Sequence, residues 1–538
     1  MSNYNSSYKT VRYFQVQEML ILLLLGTMLV AVVSEDDTVF LNCLEKQPTT
    51  YPTSETSYTK HNSSFQSVFN ELVRNRRFLN PVFQKPLVIV TAKDASDVQA
   101  TLFCCKRHNV QLRVRGGGHD MEGTSYIAGA GVPFVILDML NMRSIKINIE
   151  EETASIQAGA VLGEVYYALA QKSRVHAFPG GVCPTVGVTG HFSGGGYGNL
   201  MRAYGLSTDH VVDALLVVVD GKVLNRTSMG EDRFWAIRGG GAASFGIVLA
   251  WKVMLVRVPP LVTVFRVTRT LEQGAPETMY RWQEIAPNLP KKIFIRVRVT
   301  VLPKAELKFS FIGLFLGSTQ ELVELLDENF PELGLSTKDC NEMPWVNSTL
   351  FWADAPVGTP TQFLISRQDE KVSRKVKSDF VVEPIPKQGI EKICKAMLNM
   401  EGLVMEWNPY GGRMSEIPGN EIAYPHRAGI LFKIEYDFKW YETGIDVDKY
   451  HVELLRSFYK FMTPYVSKSP RMAYFNYRDF DIGINHGNKQ DTNLTTSFGM
   501  NYYGNNFIRL MKVKTETDPA NFFRYEQSIP PSTPTTLS

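Results

Sequence analysis

Three observations predict an α+β chain of two domains. The sequence is 538 residues long, beyond the size at which one hydrophobic core keeps growing, so two cores are expected. The run "PLVIVTAKDASDVQATLFCCKRHNVQLRVRGGGHD", from Pro86, reads as strand, helix and second strand ending in glycines. After "VPP" at 258–260 the texture changes. "KKIFIRVRVTVL" and "ELKFSFIGLFL" alternate as antiparallel strands do, and "TQELVELLDENF" has the spacing of a covering helix.

In chain order, residues 1–34 read as a secretory signal: Lys9 and Arg12 precede an apolar run from Met19 to Val33, followed by "SEDD". The run is shorter than the roughly 20 residues a membrane span needs. The first domain is expected over 35–257 and a second over 258–470. A segment over 471–530 is expected to return to the first domain, with a disordered tail at 531–538. A secreted chain suits the four glycosylation sequons at Asn62, Asn225, Asn347 and Asn493. The mature chain is expected in the secretory pathway, with no membrane partner once the signal is removed.

Composition narrows the function classes. Hydrophobic residues make up 44% and charged residues 21%, as in ordinary globular proteins. Lys+Arg 57 against Asp+Glu 54 leaves a net charge of +3, which argues against nucleic acid as the main partner. The six cysteines, at 43, 104, 105, 183, 340 and 394, have no metal-ligand spacing.

The chemistry is concentrated in three glycine loops: "RVRGGGHDMEG" at 113–123, "GGVCPTVGVTGHFSGGGYG" at 180–198 and "IRGGGAASFGIV" at 237–248. None is a dinucleotide fingerprint, because the sixth position is Met121 in the first loop and Ser244 in the third. A Walker loop, HExxH and GxSxG are also missing. What remains is a cradle of backbone N–H groups in which missing Cβ atoms admit a pyrophosphate. Three such loops imply one large ligand, with His119 presented to it.

These loops, together with "NPYGGRMSEI", "YPHRAG", "AYFNYRDFDIG" and "DPANFFRYEQSIPP", resemble the plant berberine bridge enzyme-like family of FAD-linked oxidases over nearly the whole mature chain. The resemblance implies an FAD-binding domain of the vanillyl-alcohol-oxidase type, with an inserted substrate domain built on an antiparallel sheet covered by helices. It implies FAD bound covalently twice, through His119 and Cys183. Imidazole nitrogen and thiolate are the nucleophiles such a link requires. Around them it assigns Arg115, Gly116, Gly117, Gly118, Asp120 and Ser125 of the first loop to the cofactor. Val186, Gly187, Gly190, His191, Ser193, Gly194 and Gly198 follow from the second loop, Ile247 from the third, and Asn476 from the last segment. It also implies a disulfide from Cys43 to Cys104, with Cys105 as the alternative partner. No metal is implied, and the protein is expected to be a monomer.

For catalysis, Lys433 and Glu435 lie two apart on the expected strand "LFKIEYDFKW" and share a face. By resemblance that strand lines the open face of the flavin. Tyr477 is the expected base and Glu435 the second candidate, with Lys433 lowering the phenol pKa as a nearby ammonium. Tyr197 and Tyr410 match aromatic residues around the substrate. Arg296 shares a strand face with Arg298, suiting an anionic or carbonyl oxygen. Val186 matches the position at which relatives that use oxygen carry valine, so O2 is the expected acceptor and hydrogen peroxide the product. Two departures limit the transfer: Met121 replaces a tyrosine, and the strand at 294–298 lacks the histidine of cannabinoid synthases.

The expected function is therefore oxidation of a plant secondary metabolite, a phenol or prenylated phenol, with or without cyclisation. The alternatives are a non-redox Diels-Alder cyclase, in which arginines polarise a carbonyl, and a carbohydrate oxidase acting at C1.

Overall fold

The computed structural model describes residues 37–367, 370–485 and 492–532. The expected signal segment and nearly all of the expected tail lie outside them. No helix among the described residues is long and apolar enough to cross a membrane.

The first sheet is built as the alternating pattern predicts. Asp94 caps the helix Ala95–Arg107 by accepting from the Ser96 amide at 2.8 Å, which satisfies a backbone donor the helix cannot use itself. Asn109, in a left-handed turn with φ 51°, ends the helical segment. The strand Gln111–Arg115 then runs parallel to Phe134–Asp138 and hands the chain to Gly116. Val88–Thr91 and Ser57–Thr59 complete four strands. Cys43, in the helix Asp37–Glu45, is disulfide-bonded to Cys104, and Cys105 is a buried free thiol. A second, five-stranded antiparallel sheet includes Thr153–Gln157, Ile247–Met254 and Val211–Val217.

A third sheet has seven antiparallel strands drawn from residues 262–440. Its two faces follow from the period of two along a strand. Ile293, Ile295, Val297 and Val299 face one way with Met405, Trp407, Ile434 and Tyr436, all in one core. The helices Ala275–Ile285, Thr319–Asn329, Lys387–Met397 and Ile445–Phe461 cover that face through Trp282, Leu326, Ile393 and Leu455. Truncating one of these buried side chains to alanine costs about 2–5 kcal/mol. The other face carries Arg296, Arg298, Glu406, Glu435 and Asp437 and looks across a cavity toward the glycine loops.

The C-terminal segment packs on the first domain. Arg478 pairs with Asp120 at 2.7 Å and Glu526 with Arg113 at 2.8 Å. The buried Lys514 donates to the Ser244 carbonyl at 2.7 Å.

Candidate active site

A cavity of about 710 Å³ lies between the glycine loops and the polar face of the seven-stranded sheet, a size that suits a cofactor with its substrate. The first two loops approach so closely that a Cβ on Gly117 would stand 2.3 Å from the Gly187 nitrogen. No other residue fits there.

His119 and Cys183 meet at one hydroxyl. Thr185 Oγ1 lies 3.0 Å from His119 Nε2 and 3.5 Å from Cys183 Sγ. Burial, with the guanidiniums of Arg74, Arg374 and Arg115, holds the His119 imidazole well below its usual pKa, so it stands neutral and nucleophilic. His191 is pushed down to about 3 by burial and by Lys433, and its Nε2 accepts from the Gly181 amide at 3.0 Å. Burial would raise the Asp120 pKa, but Arg478 outweighs it and keeps the carboxylate ionised. Asn476 donates to the His191 carbonyl at 3.0 Å.

The site fits an oxygen-rich cofactor. Ser125 Oγ and Arg478 Nη1 are buried without a protein partner beside the cavity, and an acceptor there relieves both. Gly116, Gly118, Val186, Gly187, Gly190, Ser193 and Ile247 also line the space. Three of the glycine-loop residues assigned to the cofactor do not line this space. Arg115 is turned beneath the loop onto Asp138 at 3.1 Å and the Leu72 carbonyl at 3.0 Å, so it braces the backbone instead of contacting the cavity. Gly194 and Gly198 are small for chain packing: added Cβ atoms would meet Asn476 Oδ1 at 2.0 Å and the Gly180 carbonyl oxygen at 1.8 Å.

On the sheet side, Tyr477 Oη lies 2.5 Å from a Glu435 carboxylate oxygen and 2.5 Å from Tyr197 Oη. Burial, and then repulsion by Glu406, push Glu435 up to about 7. Burial also raises Tyr477 well above the usual phenol value, and Glu435 raises it further. In this pair the phenol is the donor and the carboxylate the acceptor.

Lys433, the expected activator of Tyr477, lies against three tyrosine rings. Its Nζ sits 3.2 Å from the Tyr197 ring centroid and 4.2 Å from that of Tyr477, with no hydrogen-bond partner. Burial drives its pKa well below the usual ammonium value, so the charge needed to favour phenolate is itself disfavoured. Tyr410 does not line the cavity. It is 1% exposed, bonded to Tyr424 Oη at 2.6 Å and packed on Phe380. Arg296 borders the cavity, but its guanidinium is taken by Glu406 at 2.9 Å and Asn408 at 2.6 Å, which leaves it no free charge for a substrate anion.

Sequence reasoning passed over Thr185, Arg478 and Glu406. Glu406 had a readable signal: in "LVMEWNP" an acid occupies a strand position among apolar residues.

Comparison with known proteins agrees with this geometry. The family model "FAD binding domain" matches residues 86–227 and "Berberine and berberine like" matches 473–530. Berberine bridge enzyme-like 7 of Arabidopsis thaliana is 47% identical over 500 residues, covering 91% of this chain and 94% of that protein. Tetrahydroberberine oxidase of Berberis wilsoniae is 47% identical over 504 residues, covering 91% and 93%. The crystal structure of Phl p 4, a grass pollen allergen with glucose dehydrogenase activity, superposes with a TM-score of 0.87 at 39% identity, covering 92% of this chain and 99% of that one. The cavity, its glycine cradle and these matches together show that the chain belongs to the plant berberine bridge enzyme-like family of FAD-linked oxidoreductases.

Proposed function

We propose that the protein is a secreted oxidase of a polyhydroxylated plant metabolite, a carbohydrate or glycoside, and that Glu435 takes the proton of the reacting hydroxyl. The observation that carries this reading is the hydrogen-bonded chain from Tyr197 through Tyr477 to Glu435 in the cavity wall. A carboxylate with a pKa near neutrality is matched to proton abstraction at physiological pH. Tyr477, donating to the same carboxylate, orients it. Bound FAD supplies the two-electron acceptor, which dioxygen restores with release of hydrogen peroxide. His119 and Cys183 are the two covalent attachment points, and Val186 borders the cavity three residues beyond Cys183.

The wall orders the substrate classes. Arg298, Thr300, Asp437 and Lys439 line the space outward from Glu435. Hydroxyl groups satisfy such a surface, whereas a prenyl chain would strip water from it without return. A phenolic substrate is the second reading, favoured by the rings of Tyr197, Tyr477 and Trp352 in the same wall. Cycloaddition loses the support of Arg296, whose guanidinium is taken by Glu406 and Asn408.

The test is anaerobic mixing of holoprotein with oligosaccharides, hydroxycinnamyl alcohols and prenylated phenols, read as bleaching of the flavin absorbance. Bleaching by the oligosaccharides is expected, slowed about 10²–10⁴-fold in Glu435→Gln. Bleaching by the phenols alone would establish the second reading. No bleaching, with product formed from a diene and an enone, would establish cycloaddition.

A further inference from the structure

We propose that Glu406 is a positioning residue for this site: an ionised carboxylate, clamped by Arg296 and Arg298, that faces Glu435 and governs when Glu435 takes up and releases a proton. The proposal rests on the reading of Glu435 as base.

Glu406 and Glu435 are direct cross-strand partners on Leu403–Pro409 and Phe432–Trp440, and both point to the cavity. Like charges directly opposite one another destabilise a sheet, and packing alone gives no reason to keep such a pair. The charge on Glu406 is nevertheless enforced. Arg296 reaches it at 2.9 Å and Arg298 at 2.8 Å. Arg298 is in turn anchored by Asp354 at 2.6 Å, and Arg266 holds that aspartate from the far side at 2.5 Å. Burial would protonate Glu406, but the two guanidiniums outweigh it and keep its pKa low.

The other groups around Glu435 do not replace it. On the same strand, Lys433 is buried against tyrosine rings, and Asp437 is tied to Arg374 at 3.1 Å and Lys439 at 3.4 Å. The neighbouring strand on the opposite side places the neutral Ser378 across from Glu435. The glycine loop contributes Tyr197 and the C-terminal segment Tyr474 and Tyr477, all of them phenols. After burial, Glu406 has the largest effect on the Glu435 carboxyl.

The experiment is a pH-difference infrared titration of the holoprotein from about pH 4 to about pH 9, following the protonated-carboxyl band that Glu435→Gln removes. Glu406→Gln should move the midpoint of that band down by about one unit or more, since it removes a like charge and leaves two cations beside the base. Glu406→Asp, which keeps the charge, should restore the midpoint toward the wild-type value. Arg298→Gln should move it up, because it removes a cation near the base. A midpoint in Glu406→Gln that stays put or rises overturns the proposal. Should that variant fail to fold, a midpoint in Arg298→Gln that stays put or falls overturns it instead. Anaerobic flavin reduction by substrate that is as fast in Glu435→Gln as in the wild type would instead refute the assignment of the base, which separates the two failures.

Discussion

Replacing Glu435 with glutamine should inactivate the enzyme and, above neutral pH, make it more stable. The carboxyl is pushed up to about 7 in the folded protein against an ordinary value of 4.5. Between those values the folded chain keeps a proton that the unfolded chain has released. Folding stability therefore falls as pH rises through this window and levels off above it. The gap between the two values, at about 1.4 kcal/mol per unit, amounts to about 3 kcal/mol. A neutral amide never incurs this cost. With an unfolding entropy of about 2.1 cal/mol/K per residue, a chain of this length gains about 3 °C in Tm from that energy. The assay is scanning calorimetry of wild type and Glu435→Gln at about pH 4.5, 6 and 8, with one scan rate because large disulfide-bonded chains unfold under kinetic control. The Tm advantage of the variant should be smallest at the lowest pH and full at the highest. An advantage that does not change with pH, or a wild type that is the more stable at the highest pH, would refute the reasoning.

Other consequences are open to the same kind of check. If both proposed tethers form, acid-denatured, filtered protein should retain its yellow chromophore in His119→Ala and in Cys183→Ala and release it only when both are replaced. Val186→Ile should slow reoxidation of the reduced protein in air while leaving its anaerobic reduction by substrate unchanged, as seen by stopped-flow absorbance. Arg478→Met leaves the largely buried Asp120 carboxylate without its cation, a loss of about 3 kcal/mol by analogy with broken buried pairs. Asp120 is held below its ordinary 3.8 in the wild type, so its contribution is present above that value and lost as pH falls. The variant should be destabilised at neutral pH and closer to wild type in acid, as measured by calorimetry.

The features legible in the sequence were the local ones. Glycines at 116–118 and 187 announced a close backbone approach, and period-two alternation set Lys433 and Glu435 on one face. The site departs from that reading where partners come from distant segments. Glu406 and Arg296 are 110 positions apart in the chain and meet only through strand register. Lys433 looked like an activating cation because spacing shows which face a side chain takes but not whether water reaches it. Tyr410 follows a cavity-lining strand, but Tyr424 and Phe380, from other segments, cover its ring within the core. Arg115 follows the same alternation as Arg113, yet only the parallel partner strand reveals that Asp138 receives it.

The seven-stranded sheet divides its labour by residue parity. Alternate positions build a greasy seal against four helices, and of the positions between them some, such as Phe294 and Ile312, pack into a second core while Arg298, Thr300, Glu406 and Glu435 form the chamber wall. A change from Thr300 or Lys439 to another side chain alters what the chamber accepts without disturbing how the sheet is supported. Selection can therefore exchange substrates on one side of a strand while the opposite side preserves the scaffold, so that chemical novelty and mechanical integrity are inherited separately.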